Sequence, residues 1–276
     1  MSTRYLESMF GLNDQIAVVT GGAGVLPSAM AVTLLRAGAR VALWGRGTNH
    51  PVDDAARQIA DDAGVAAAQV VPVTVDTADE DAVAAALWET EDRLGLPTIL
   101  VNGVGGNRGK SDFVEIDVKT FSEVVSLNLL AGLVIPLKIV AQRWIDAGSA
   151  GTVINLASMT SYKPLSGVWA YNAAKSAVLN LTEGAAREFA HHGIRVNGIA
   201  PGFFLGHQNR SLLVADDRSG ELTPRGQAII DRTPFGRFGE MADLEGATLF
   251  LASPAASGFV TGVTIPVDGG YLTNNI

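Results

Sequence analysis

The sequence predicts an α/β fold, a doubly wound parallel sheet with helices on both faces. Short apolar runs rich in β-branched residues alternate along the 276-residue chain with longer segments of helical periodicity. The short runs are apolar throughout, which is typical of strands that are buried on both faces. Helical crossovers between such strands make the sheet parallel.

Seven strands and five main helices are predicted in alternation. The strands cover 15–20, 40–44, 69–75, 98–101, 152–157, 195–199 and 263–267. The helices cover 30–36, 53–62, 79–94, 118–147 and 169–191. Glycines follow four of these helices, as expected for residues just beyond the last helical turn: Gly38, Gly64, Gly95 and Gly193.

One segment breaks this alternation, and the rest of the chain shows no boundary. Residues from about 201 to 239 follow the sixth strand and are too long and too polar for a simple connector. Loops of this length usually cover or bind a ligand. We find no repeat and no linker, so we expect a single domain over 1–276.

The composition excludes several classes of function. A net charge of −8 argues against binding to nucleic acid through phosphates. The absence of cysteine excludes disulfides and thiolate metal sites, and we expect no metal site. Residues 1–12 lack the apolar segment of a signal peptide, and no run reaches the roughly 18 apolar residues of a membrane span. We therefore expect a cytoplasmic protein that does not bind membranes.

A glycine-rich turn follows the first strand, at Thr20 to Gly24. Glycines there allow a close approach to a pyrophosphate at the next helix N-terminus, although a plain strand-to-helix turn has the same composition. Asp76 closes the third strand, where it can accept a hydrogen bond from an adenine or cap the following helix. Asn102 and Gly103 close the fourth strand, where the glycine either lets the backbone approach a ligand closely or simply belongs to a loose loop.

A tyrosine and a lysine share one helix face. Tyr171 and Lys175 are four residues apart, and a nearby ammonium lowers the pKa of a phenol. Ser158 closes the fifth strand at the same sheet edge, where it can contact the same substrate oxygen or form a turn. Asn128 lies inside a predicted helix, where asparagine is unfavourable. It is therefore either a functional polar group or a partner in a buried structural hydrogen bond.

The ordered set of motifs resembles the short-chain dehydrogenase/reductase superfamily, which has a Rossmann fold, over nearly the whole chain. The matching residues are Thr20-Gly21-Gly22-Ala23-Gly24, Asp76, Asn102-Gly103-Val104-Gly105, Asn128, Ser158, Tyr171 to Lys175, Arg195-Val196-Asn197, Pro201-Gly202 and Val267 to Gly270. Each motif alone is weak, whereas the full series in this order is specific.

The resemblance implies roles for the matching residues. Tyr171 is the expected general acid/base, Lys175 lowers its pKa and holds the nicotinamide ribose, Ser158 orients the substrate oxygen, and Asn128 holds a water in a proton relay. The expected cofactor-binding residues are Gly21, Gly22, Gly24, Val25, Leu26, Arg46, Asp76, Asn102, Gly103, Tyr171, Lys175, Pro201 and Gly202. Hydride transfer to or from NAD(P) is the expected chemistry.

Three positions at which the sequence departs from the usual pattern bear on how a cofactor binds. Pro27 replaces the last glycine of the first turn, which predicts a shifted or weaker cofactor, and Gly103-Val104 replaces a commoner Asn-Ala, which we expect to be harmless. Gly45 takes the position of the ribose-binding acid of NAD enzymes, and Arg46 follows it. An arginine can hold a 2′-phosphate, so NADP(H) is favoured and NAD(H) is the alternative.

The polar loop 201–239 resembles the D-mannonate oxidoreductase, or fructuronate reductase, branch of the superfamily. This resemblance implies a keto-uronate substrate such as D-fructuronate. The candidate substrate residues are Asn107, Gln208, Asn209 and Arg210. Arg210 can clamp a carboxylate, whereas Arg210 and Arg237 can equally form structural salt bridges.

Three other functions remain open at this point. One is a dehydrogenase of a neutral polyol or another ketone. Another is a non-catalytic regulator that senses NADP, and the last is a structural subunit. Retention of Asn128, Ser158, Tyr171 and Lys175 favours an enzyme. Superfamily members often form homo-oligomers, so a tetramer or a dimer is expected.

Overall fold

A seven-stranded parallel sheet forms the centre of the protein. The computed structural model describes residues 3–48, 50–206, 210–216 and 219–274. Its strands are β1 (Ile16–Thr20), β2 (Arg40–Gly45), β3 (Val70–Thr74), β4 (Ile99–Asn102), β5 (Gly151–Leu156), β6 (Ile194–Pro201), β7 (Val214–Asp216), β8 (Glu221–Leu222) and β9 (Thr264–Val267). The sheet order is β3-β2-β1-β4-β5-β6-β9, and every pair is parallel. This is the predicted doubly wound fold.

Helices cover both faces of the sheet. They are α1 (Thr3–Phe10), α2 (Val25–Arg36), α3 (Val52–Ala63), α4 (Glu80–Leu94), α5 (Val118–Val125), α6 (Ile135–Asp146), α7 (Trp169–Phe189), α8 (Arg210–Leu213), α9 (Pro224–Ile230), α10 (Glu245–Ala252) and α11 (Pro254–Ser257). One apolar cluster packs α4, α6 and α7 on the sheet, and a second packs α2, α3 and α10 on the opposite face. The strands carry apolar side chains on both faces because both faces are buried.

The long helix predicted at 118–147 is present, but its central part departs from α-helical geometry. Residues Ser126–Val134 form a π-helical segment between α5 and α6. Gly132 lies in this segment, where a Cβ would come within 2.6 Å of the Val104 carbonyl oxygen. The segment therefore lets the helix approach the loop after β4. By length and composition Val118–Asp146 is able to span a membrane, yet 56% of its most apolar window is buried here, as in a core helix.

The segment after β6 is folded instead of open. It contains α8, the antiparallel hairpin of β7 and β8, and α9, which share a small apolar cluster of Leu213, Ile229 and Phe238. Its two ends meet where the Gly239 N–H donates to the Phe203 carbonyl oxygen at 2.8 Å. The predicted long loop is therefore a small cap with a hydrophobic centre of its own.

Candidate active site

A cavity of about 970 Å³ runs along the carboxyl ends of the strands. Every strand from β1 to β6 ends at this cavity or leads into a loop that lines it. The lining includes these predicted residues: Gly21, Gly24, Val25, Leu26, Arg46, Asp76, Gly103, Asn107, Tyr171, Lys175, Pro201 and Gly202. The sheet order reverses between β1 and β4, which is where ligands bind in open α/β sheets.

The glycine turn leaves the start of α2 open toward the cavity. Gly21 has φ of +64°, and a Cβ there would lie 3.0 Å from the Val104 nitrogen. Gly24 is the N-cap of α2, and no side chain of the described residues caps it. The N–H groups of Val25 and Leu26 are therefore available at the cavity wall. Such a helix N-terminus favours an anion, so these residues fit the pyrophosphate of a dinucleotide.

Pro27 and Gly103, the two departures from the family pattern, lie against each other. A Cβ on Gly103 would come within 2.6 Å of Pro27 Cγ and 2.5 Å of the Thr20 carbonyl oxygen. The Gly103 N–H also donates to Thr20 Oγ1 at 3.0 Å. The small residue at 103 therefore makes room for the proline ring, so Gly103 is not a neutral replacement but the partner of Pro27.

Two predicted cofactor residues lie beneath the cavity and do not line it. Gly22 packs on Leu43, where a Cβ would collide with the leucine side chain. Asn102 is 1% exposed and donates to Asn155 Oδ1 at 2.9 Å, and Asn155 in turn donates to Thr182 at 2.9 Å. This buried network connects β4, β5 and α7. Gly22 and Asn102 therefore form the floor of the site, and their contact with a cofactor stays a prediction.

The end of β3 and the end of β2 form the opposite side of the cavity. Asp76 accepts a hydrogen bond from the Ala78 N–H at 3.0 Å and does not cap the next helix. Asp79 is the N-cap of α4 and accepts from the N–H groups of Asp81 and Ala82. Asp76 therefore stays at the cavity wall, near the exposed Arg46 that follows β2.

Tyr171 and Lys175 lie on the inner face of α7, as predicted from their spacing. Lys175 is 4% exposed, and its Nζ donates to the Leu156 carbonyl oxygen at 2.6 Å. The same atom lies 5.7 Å from the centroid of the Tyr171 ring. Burial lowers the pKa of Lys175 to about 8. The two side chains reach the cavity from one helical turn.

The pKa of Tyr171 shifts in the opposite direction to the predicted one. Burial raises it, and a hydrogen bond with Ser158 opposes this effect. The expected lowering by Lys175 is absent in this arrangement, because its ammonium is desolvated and is directed to the Leu156 carbonyl. At neutral pH the phenol is therefore protonated and available as a proton donor.

Ser158 is held beside Tyr171 by a short 3₁₀ turn. It is 7% exposed, and its Oγ accepts a hydrogen bond from the Thr160 N–H at 3.2 Å. Ser161 in the same turn donates to the Lys175 carbonyl oxygen at 2.7 Å, which fixes the turn against α7. Both predicted readings of Ser158 are therefore compatible, since it forms the turn and faces the phenol. Two adjacent hydroxyls can donate to one carbonyl oxygen.

Asn128 lies in the π-helical segment and is fully buried. Its Nδ2 donates to the carbonyl oxygens of Gly106 at 2.7 Å and Val124 at 2.8 Å, and its Oδ1 accepts from the Gly106 N–H at 3.0 Å. These bonds fix the loop after β4. A Cβ on Gly105 would lie 2.7 Å from Asn128 Oδ1 and 3.3 Å from Lys175 Nζ. The structural role of Asn128 is therefore substantial.

The candidate substrate residues separate into three groups. Asn107 lines the cavity, and its amide also donates to the Gly109 carbonyl oxygen at 3.0 Å. Arg210 begins α8 and is not among the residues that line the cavity, because the cap folds around Leu213. Gln208 and Asn209 lie outside the described residues. Arg237 forms a salt bridge with Asp243 at 2.6 Å, which is its predicted structural role.

Several cavity residues were not predicted from the sequence. Arg108 and Glu123 bring charge to the wall, and Phe203 and Phe204 bring aromatic surface. Arg108 directly follows Asn107, so its position in the loop after β4 was the available signal. Among the described residues, no group of His, Cys, Asp and Glu has the arrangement of a metal site.

The comparisons with known proteins identify the family. A family model described as enoyl-(acyl carrier protein) reductase matches residues 25–272. An uncharacterised oxidoreductase of Bacillus subtilis (strain 168) is 39% identical, over 95% of this chain and 96% of its own length. A 2-dehydro-3-deoxy-D-gluconate 5-dehydrogenase of Dickeya dadantii (strain 3937) is 35% identical, over 95% and 97%. The chain belongs to the short-chain dehydrogenase/reductase superfamily.

Solved structures of this superfamily superpose on nearly the whole chain. A gluconate 5-dehydrogenase from Burkholderia cenocepacia J2315, in complex with NADP and tartrate, has 33% identity and a TM-score of 0.84 over 98% of this chain and 100% of its own. A protein from Haemophilus influenza with bound NAD, provisionally named D-mannonate oxidoreductase, has 31% identity and a TM-score of 0.84 over 98% and 99%. This short-chain dehydrogenase/reductase is an NAD(P)-dependent oxidoreductase.

The site residues fit the nicotinamide cofactor of the superfamily. The open N-terminus of α2 and the glycines beside it fit a pyrophosphate, while Asp76 and Arg46 line the opposite wall, where they would hold the adenosine. When bound, the cofactor supplies or accepts the hydride. The chain itself supplies a protonated phenol, a serine hydroxyl and a buried ammonium at the far end of the cavity. This arrangement is suited to proton transfer at the oxygen of a carbonyl or an alcohol.

Proposed function

We propose that this oxidoreductase interconverts a keto group and a secondary alcohol on a sugar acid, with a keto-uronate such as D-fructuronate reduced to D-mannonate. The observation that carries the proposal is the loop after β4, which brings Asn107 and Arg108 to the cavity wall. Gly105 in this loop lies beside Lys175. A guanidinium binds a carboxylate through two hydrogen bonds, and an amide side chain forms hydrogen bonds with hydroxyl groups.

The names of the relatives support an acidic substrate. The Dickeya relative acts on a deoxygluconate derivative, and the Burkholderia structure is a gluconate dehydrogenase that contains tartrate. The provisional name of the Haemophilus structure refers to D-mannonate, which is the product that we propose here. All three names describe polyhydroxylated carboxylates or relatives of them.

In the proposed reaction, four side chains have separate tasks. Tyr171 donates the proton to the substrate oxygen in reduction, and Ser158 donates a hydrogen bond to the same oxygen. Lys175 holds the cofactor ribose through its buried ammonium. Asn128 keeps the loop after β4 in place and contributes to the proton relay that ends at Lys175.

We propose NADP(H) as the preferred cofactor, because β2 ends at a glycine that is followed by an arginine, where NAD enzymes carry an acid. Arg46 is exposed at the cavity wall and free of an acidic neighbour in sequence. Initial rates with NADPH and NADH at equal concentration test the preference. At least a tenfold advantage for NADPH that Arg46→Ala removes is expected, and a strong preference for NADH would contradict it.

The substrate is tested with a panel of sugar acids and matched neutral sugars, with both cofactors. Turnover of fructuronate, tagaturonate or mannonate well above that of neutral ketoses is expected. Activity on a neutral ketone alone would remove the substrate assignment and leave the oxidoreductase class intact. Binding of NADPH without turnover of any carbonyl would favour the regulator.

A neutral polyol is the second candidate, and Glu123 favours it. This carboxylate lies in the same cavity wall as Arg108, and it repels an anionic ligand. Arg108 and Asn107 are adjacent in the loop, whereas Glu123 is on α5, so the two charges act at different points of the wall. Wild-type turnover of a neutral polyol above that of every sugar acid, together with a lower KM for the acid in Glu123→Gln, would favour the polyol.

We also propose a homo-oligomer of cytoplasmic location. Large apolar side chains are exposed at the start and on the outer side of the long helix, including Val118 at 73% and Leu130 at 45%, and Leu181 on the adjacent α7 at 36%. Exposed apolar surface on neighbouring helices fits contact with a second copy. Mass measurement in solution tests this, and a monomer at micromolar concentration would contradict it.

A further inference from the structure

The loop that carries Asn107 and Arg108 is fixed at two points. The first is Gly106, whose N–H and carbonyl are both bonded to the Asn128 amide, at 3.0 and 2.7 Å. Between this point and Ser111 the chain is exposed, and it turns at Gly109 with φ of +76°. A short polar turn of this kind has few contacts of its own, so its two fixed ends determine where Arg108 lies.

The second fixed point is Ser111, which is held by the start of α7 and the residues before it. Its carbonyl oxygen accepts a hydrogen bond from Trp169 Nε1 at 3.0 Å, and its N–H donates to the Gly167 carbonyl oxygen at 3.2 Å. The Phe113 ring packs edge-on against the Trp169 ring, with centroids 5.4 Å apart. The loop is therefore held by a hydrogen bond and an aromatic contact from the same tryptophan.

The turn that holds Gly167 is itself fixed to α7. Asn172 clasps Leu165, donating to its carbonyl oxygen at 2.8 Å and accepting from its N–H at 3.3 Å. Gly167 is buried with φ of +83°, and the Lys110 side chain lies over it. Trp169 therefore projects from a hydrogen-bonded turn, two residues before Tyr171. The support of the loop and the proton donor share one helix end.

We propose that Trp169 is a positioning residue for substrate recognition, which acts through the loop and not by touching the substrate. It holds Ser111 so that Arg108 stays at the cavity wall in the geometry that binds a carboxylate. The inference rests on the proposed function, since it requires an acidic substrate. A loop held in its binding geometry loses less conformational entropy when the ligand binds.

Trp169→Phe is the direct test, because phenylalanine keeps an aromatic ring against Phe113 and removes the N–H donor. We expect KM for the keto-acid to rise about fivefold to tenfold, the factor of one lost hydrogen bond. The kcat, the KM for the cofactor and the KM for a neutral ketone should stay within about twofold. Trp169→Ala, which removes the ring contact too, should raise KM for the acid further.

Trp144→Phe is the matched control. Trp144 Nε1 also donates to a backbone carbonyl, that of Pro97 at 2.5 Å, but the residue lies in the core away from the cavity. This variant should lower the melting temperature and leave KM for the acid unchanged. A general structural role for Trp169 predicts the same behaviour for both variants, with acid and neutral substrates affected equally.

The double variant Trp169→Phe/Arg108→Gln identifies the path of the effect. If Trp169 acts through Arg108, the tryptophan change adds no further rise in KM once Arg108 is lost. Additive effects of the two changes would overturn the inference. If Arg108→Gln alone raises KM for the acid and Trp169→Phe does not, the inference fails and the proposed function stands. If no sugar acid is turned over by the wild type, the proposed function itself fails.

Discussion

Lys175 is a buried ammonium without a carboxylate partner among the described residues. It is 4% exposed, and its Nζ donates to the Leu156 carbonyl. Its folded-state pKa of about 8 lies below the ordinary value of 10.5, so the charged form is disfavoured in the folded protein. Below pH 8 burial of the charged lysine lowers the free energy of unfolding by the full amount, on the order of 3 kcal/mol. This destabilisation disappears as the pH rises toward 10.5.

Lys175→Met should therefore stabilise the protein while it abolishes catalysis. We expect a higher melting temperature than the wild type at about pH 7, an advantage that shrinks toward about pH 10, and a loss of kcat of at least a hundredfold. Thermal unfolding at both pH values and a rate assay check this. Lys138→Met is the control, because Lys138 is exposed and pairs with Glu80. A Lys175→Met protein that melts below the wild type at pH 7 contradicts the account.

Tyr171 predicts opposite pH dependences for the two directions of reaction. Because burial raises its pKa, the phenol stays protonated at neutral pH and can donate a proton in reduction. The kcat for reduction should be nearly constant between about pH 6 and about pH 8, whereas the oxidation rate should still be rising at about pH 9. Parallel profiles in both directions would be inconsistent with this assignment.

Tyr171→Phe should abolish both reactions, by about a hundredfold or more. Tyr162→Phe is a matched control, because its hydroxyl donates to the Thr264 carbonyl oxygen at the protein surface. That variant should retain wild-type kcat. Equal losses in the two variants would indicate that a general loss of tyrosine hydroxyls, and not the site, explains the effect.

At the scale of elements, the first turn of α2 and the end of β4 are fitted to each other. Gly103→Ala places a methyl group against both Pro27 and the Thr20 carbonyl. We expect it to cost about 1–3 kcal/mol and to raise KM for the cofactor, since the α2 N-terminus must move. Pro27→Ala/Gly103→Ala should recover part of both losses, because the contact with Pro27 Cγ at 2.6 Å is removed, while the contacts with the Cβ of residue 27 at 2.8 Å and with the Thr20 carbonyl remain. Strictly additive losses in denaturant unfolding would contradict the coupling.

The elements were largely predictable, and their local irregularities were not. Buried strands and helix-ending glycines are local features, so β1 to β6 and the helix ends at Gly64 and Gly95 follow from the sequence. The π-helical turn at Asn128 does not, because its apolar pattern is that of an ordinary helix. One prediction made Asp76 the N-cap of α4, whereas the N-cap is Asp79. The sequence left this open because acidic residues at neighbouring positions can accept from the same N–H groups.

Site residues were predictable where chemistry is tied to spacing. Tyr171 and Lys175 share a face because residues four apart do so on any helix. Arg108 and Trp169 were missed, because their roles arise from contacts between distant segments that only the fold brings together. Arg210 was considered both as a carboxylate clamp and as a structural residue, and it lies outside the cavity lining, at the start of the segment that packs around Leu213.

At the scale of the whole molecule, the sheet brings separate segments to one edge. The reversal of strand order between β1 and β4 opens the cavity, with the α2 N-terminus on one side and α7 on the other. The loop after β4 crosses this edge and carries Arg108, while the π-helical segment and Trp169 fix it at its two ends. In the proposed function, the reaction type is determined by side chains of α7, and the choice of substrate by a loop that is fixed to the same helix.

In the proposed function, Arg108 binds a carboxylate of the substrate at this cavity. The most direct measurement is kcat/KM for NADPH-dependent reduction of D-fructuronate and of a matched neutral ketose, by the wild type and by Arg108→Gln. We predict that the variant loses about tenfold to a hundredfold on the acid, as expected for one charge-assisted contact, and less than about twofold on the ketose. Equal losses on both substrates, or no loss on the acid, would contradict the account.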